Sequence, residues 1–120
     1  MMIAIGRRSR TQPPPPAAVF AALADPYRDP ARPWLKLRED ECAPTVLESR
    51  PVTTLTWSSL WPARPDAVIE FALSTDGGQG TRLEWVLWVD EPIPDQGRIG
   101  HYRKRLNELI NAELRYSFGQ

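Results

Sequence analysis

Cysteine is almost missing from this sequence. Cys42 stands alone, so an internal disulfide is excluded and no zinc-type Cys/His spacing can be written. Histidine is as scarce: any Ser–His or Cys–His relay would have to pass through His101. Lysine is rare too, since only Lys36 and Lys104 stand among the 15 basic residues and the rest are arginine. An excess of one charge sign is also lacking, because 15 Lys plus Arg balance 15 Asp plus Glu. No global field therefore draws the chain to nucleic acid or to an anionic membrane. Uninterrupted apolar runs fall far short of the roughly 20 residues that span a bilayer. Residues Met1 to Gly6, followed by Arg7, Arg8, Ser9 and Arg10, reverse the charge-then-apolar order of a secretory leader. The expectation is a cytoplasmic protein with no membrane insertion, no nucleic-acid partner, no metal and no cofactor.

Proline is plentiful, at 13 of 120 residues, and it punctuates the chain into short elements of what should be one domain over 1–120. Pro13 to Pro16 run straight into Ala17-Ala18-Val19-Phe20-Ala21-Ala22-Leu23-Ala24. Proline suits a first helical turn, so a short helix is expected from about 15 to 24. Asp25-Pro26 stops it, because the residue before proline avoids helical angles.

Period-two alternation marks three strands, at about 53 to 61, 67 to 75 and 81 to 90. Asp76-Gly77-Gly78-Gln79-Gly80 supplies hairpin chemistry between the last two, and Pro62 to Asp66 breaks the first pair. The odd positions are apolar except Ser59 and form the inner face. Paired residue numbers should sum to about 128 and 156 if that face is shared, which sets Phe71 between Trp57 and Trp85. Such an aromatic row is either plain core or the floor of a ligand cavity. The same register gathers Leu60, Val68 and Trp88 on the outer face. There either a second copy of the chain or the chain's own N-terminal or 34 to 47 segment should cover them.

From Asp95 to about Ser117 no proline intervenes, and Ile99, Tyr102, Leu106, Leu109, Ile110 and Leu114 share one helical face. Asp95 is the expected N-cap, with Gly97 and Gly100 weakening the first turns. At 100° per residue Arg103 lies on the edge of the apolar stripe, Glu113 lies inside it and His101 points away. No catalytic residue is assigned. The only histidine faces outward, and Glu70 and Glu84 fall on the solvated sheet face.

The order of elements is an N-terminal strand, a short helix, antiparallel strands and a long closing helix, an α+β arrangement. With Pro16 to Pro26, Trp34-Leu35 and Gly80-Thr81-Arg82-Leu83, the chain resembles the SRPBCC or START-like superfamily, which includes polyketide cyclase-like proteins and relatives of the activator of Hsp90 ATPase. The resemblance implies a helix-grip fold, a curved antiparallel sheet wrapped around the closing helix, with a cavity between them for a hydrophobic molecule. About six strands are countable here against the family's usual seven. On this reading Trp57, Phe71, Trp85, Leu87, Tyr102 and Leu106 line the cavity, and Ser59 and Arg103 fix a polar group of the ligand. The alternative is an interaction module or homodimer using Leu60, Val68 and Trp88. A third reading is a cyclase or dehydratase in which Arg103 or Tyr102 assists proton transfer.

Overall fold

The computed structural model describes residues 1–31 and 33–118. Its elements are β1 (Ile3–Gln12), α1 (Pro16–Ala24), β2 (Val46–Arg50), β3 (Thr54–Ser58), β4 (Val68–Thr75) and β5 (Thr81–Val89). A closing helix follows, made of α2 (Gln96–Glu108), a π-turn (Leu109–Glu113) and α3 (Leu114–Ser117). The strands form one antiparallel sheet in the order β1-β5-β4-β3-β2, with β1 and β2 at its edges. The accessible surface is 6800 Å², close to the roughly 6,600 Å² expected of a folded chain of this mass.

The inner face is the odd-numbered one, as its alternation predicts. Leu55, Trp57, Ile69, Phe71, Leu73, Leu83, Trp85, Leu87 and Val89 are all buried, while Glu70, Ala72, Ser74 and Arg82 are exposed. The β4–β5 register matches the expected sum of 156, with Phe71 opposite Trp85 and Val68 opposite Trp88. The β3–β4 register does not match: Leu55, not Trp57, stands opposite Phe71, and Trp57 faces Ile69. The Ser59 hydroxyl explains the slip. It accepts from the Trp61 N–H at 2.9 Å and lies 2.8 Å from the Arg64 carbonyl, so the chain turns inward at Ser59 and pairing ends at Ser58. Leu60 consequently leaves the outer face and is wholly buried in the core.

Among the described residues five strands are present instead of about six, because residues 34–45 form no strand of their own. Trp34 and Leu35 are buried, and the Cys42 N–H reaches the Leu60 carbonyl at 2.7 Å. The expected short helix forms as α1, with a proline in its first turn and Val19, Phe20 and Leu23 buried. Two tryptophans cap its C-terminal end: Trp34 Nε1 donates to the Ala22 carbonyl at 3.0 Å and Trp57 Nε1 to the Leu23 carbonyl at 2.9 Å. Carbonyls that a helix end leaves free are thus satisfied by the core itself.

Asp95 caps α2 as expected, accepting from the Arg98 N–H at 2.8 Å. The π-turn is the departure from a regular helix. It adds a residue to one turn, so Leu109, Ile110 and Leu114 all face the sheet. Gln12, buried at the end of β1, donates to the Ile110 carbonyl within that turn at 3.2 Å.

Candidate functional site

The concave face of the sheet carries the aromatic row. Trp57 and Phe71 meet edge to face with centroids 4.7 Å apart, a diagonal contact that survives the shifted register. Trp34 stacks on Trp57 at 6.1 Å, and Tyr102 of α2 lies over Trp61 at 4.2 Å. Trp57, Phe71, Trp85, Leu87, Tyr102 and Leu106 are thus brought together under the closing helix, each at most 3% exposed. They fill the space between sheet and helix with their own side chains. Four surface grooves among the described residues are lined by other side chains, none of them by any of those six.

Ser59 and Arg103 lie elsewhere than the cavity reading expects. The Ser59 hydroxyl is engaged by the turn that it closes. Arg103 is exposed and lines a groove of about 540 Å³ between β1 and α2. Of the outer-face trio, Leu60 belongs to the core, and Val68 and Trp88 remain as a half-buried pair.

The inward-facing arginine is Arg105, which the helical wheel does not single out. Only 4% exposed, it grips Glu41 through Nε and Nη2 at 2.7 Å each, reaches Glu108 at 3.1 Å and donates to the Lys36 carbonyl at 3.1 Å. Burial pushes the Glu41 carboxyl up, but hydrogen bonds from Arg105 and from the Arg38 N–H outweigh it and hold it below the usual glutamate range. The same contacts with Glu41 raise Arg105. This fork-to-fork pair fastens the 34–45 segment to α2. A sequence signal for it exists: Tyr102, Arg105 and Leu109 follow an i, i+3, i+7 spacing.

Two further inner residues matter chemically. The indole nitrogens of Trp61 and Trp85 are buried without an acceptor among the described residues. His101, turned away as expected, lies 2.9 Å from Asp40, and this hydrogen bond lowers the Asp40 carboxyl.

No protein-family model and no curated protein sequence matches the chain. Solved structures do. CalU16 from Micromonospora echinospora superposes with a TM-score of 0.69 at 21% identity, covering 98% of this chain and 83% of that one. An AHSA1-like protein from Rhizobium etli gives 0.68 at 20% identity, covering 96% and 81%. The Aha1 dimer from Colwellia psychrerythraea gives 0.65 at 14% identity, covering 93% and 92%. The likeness is one of fold, and the helix-grip fold implied by the SRPBCC resemblance is the fold of this chain.

Proposed function

We propose that the protein binds a hydrophobic small molecule, lipid- or polyketide-like in character, between the concave sheet and the closing helix. The observation that supports this most directly is that the buried indole N–H groups of Trp61 and Trp85 find no acceptor among the described residues. A buried donor without an acceptor costs about 1–3 kcal/mol. An apolar molecule carrying a carbonyl oxygen would gain both buried area and a hydrogen bond there. Because the aromatic row is packed, entry requires the N-terminal half of α2 to lift. Gly97 and Gly100 lie in its first turns, and Tyr102 is the side chain that the ligand would displace from Trp61.

The shared fold supplies the scaffold and only an analogy for what it binds, as function resides in the site rather than in the fold. The Colwellia protein is described as a dimer. Here Val68 and Trp88 alone offer too little apolar surface for an interface of the usual ~800 Å² per partner, and the binder reading is preferred.

Tryptophan fluorescence titrated with decan-2-one and with decane tests the proposal. The ketone should give a saturable change, and Trp85→Phe should weaken it by about tenfold while leaving decane binding unchanged. Native mass spectrometry of freshly purified protein should show a retained adduct. Absence of both an adduct and a saturable ketone response would refute the reading.

A further inference from the structure

Along the groove between β1 and α2 the charge balance of the chain fails locally. Beyond the bulge between Ala4 and Gly6, the even residues of β1 take the helix side of the sheet, since Gly6, Arg8 and Arg10 stand opposite the inward-facing Leu87, Trp85 and Leu83. Arg8 and Arg10 therefore project toward α2 at an open edge, where Arg103 and Lys104 meet them across about 540 Å³ of groove. Four cations face one carboxylate, Glu108, and that carboxylate is held by Arg38 at 3.0 Å and Arg105 at 3.1 Å.

None of the four groove cations forms an ion pair or a side-chain hydrogen bond among the described residues. By contrast, Lys36, Arg38, Arg64 and Arg105 all find carboxylates. In a chain of zero formal net charge, four neighbouring unpaired cations repel one another without compensation. Backbone detail also serves the arrangement: a Cβ on Gly6 would stand 2.8 Å from Arg103 Cγ and 3.2 Å from Trp85. Glycine at that position leaves room for the Arg103 stem to lie against β1, where Arg103 lines the groove. Asn107 adds an amide, since its Oδ1 accepts from Asn111 at 3.1 Å and its own N–H groups are left for a ligand.

We propose that this groove is a binding site for a small, multiply charged oxyanion, a phosphorylated or polycarboxylate molecule seated between the guanidinium forks of Arg8, Arg10 and Arg103. Guanidinium forks match such groups bidentately, and Lys104 contributes a point charge. The site is separate from the apolar interior and does not depend on the function proposed above.

Isothermal titration with pyrophosphate and with citrate at low salt tests it, and comparing the two distinguishes phosphoryl from carboxylate ligands. At least one should bind with one-to-one stoichiometry and weaken as salt rises. The double variant Arg8→Gln/Arg103→Gln should lose about tenfold or more, the usual scale for removing a charge-assisted hydrogen bond, and Lys104→Gln should lose less. Arg50→Gln/Arg82→Gln, which removes the same charge from exposed positions elsewhere, should bind as the parent does. No binding of either anion, or equal losses in the two double variants, would overturn the proposal. So would a single-stranded oligonucleotide that displaces both anions with no dependence on Arg8 and Arg103.

Discussion

Glu41 has no side-chain exposure and is still ionised, because Arg105 meets both of its oxygens at 2.7 Å. Removing one partner of such a pair leaves a buried charge uncompensated, so Glu41→Gln should cost about 3 kcal/mol in urea denaturation. The pH dependence has a definite sign. The folded carboxyl titrates below the ordinary glutamate value, so its contribution is full above that value and is lost as pH falls through the lower, folded one. As pH falls below about 5 the parent should therefore lose thermal stability more steeply than Glu41→Gln, and parallel curves would contradict the assignment. The helical wheel favours Arg103 over Arg105 for a physical reason. Ile110 and Leu114 draw the apolar stripe toward Arg103, whereas the π-turn adds a residue before Leu114, so the two halves of the helix need separate wheels. The expected Glu113 shifts with it, to a half-exposed position 3.6 Å from Lys36.

At the scale of elements, α1 is nine residues long and has no side-chain cap at its N-terminus. A helix this short holds by tertiary contact and not by propensity. Its C-terminal carbonyls depend on Trp34 and Trp57, so Trp34→Phe and Trp57→Phe should each cost about 1–2 kcal/mol beyond any repacking. The two rings stack on one another, so the double variant should be non-additive. Additive losses would mean that the caps act independently. The elements themselves are legible from alternation, proline punctuation and the glycine-rich hairpin, and β5 pairs with β4 as its turn chemistry predicts. The β3–β4 connection is not legible, because its length depends on one hydroxyl closing a turn at Ser59. That two-residue difference carries Leu60 from the outer surface into the core. Period-two patterning reports which face a residue takes while the strand lasts and carries no information on where pairing stops.

At the scale of the whole molecule, the outer sheet face decides association. With Leu60 and Val86 buried, the large apolar residues left accessible there are the half-buried Val68 and Trp88, beside the small Ala4 and Ala72 and the polar Glu70, Ser74, Arg82 and Glu84. An interface of standard size needs about 800 Å² from each partner with a dry apolar centre, and two half-covered side chains do not supply it. Light scattering at high micromolar concentration should therefore return a mass near the 13.6 kDa of one chain. Trp88→Ser separates the roles of this residue: it should leave that mass unchanged and lower stability by about 1 kcal/mol, the scale of an ordinary partly buried substitution. A mass twice as large that falls on mutating Trp88 would show that the outer face does pair, and that the polar residues around Val68 tolerate burial. A dimer indifferent to Trp88 would move the contact to the open edge of β1 or β2. Pairing through β1 would also enclose Arg8 and Arg10, so salt-dependent association would then link the assembly to the basic groove.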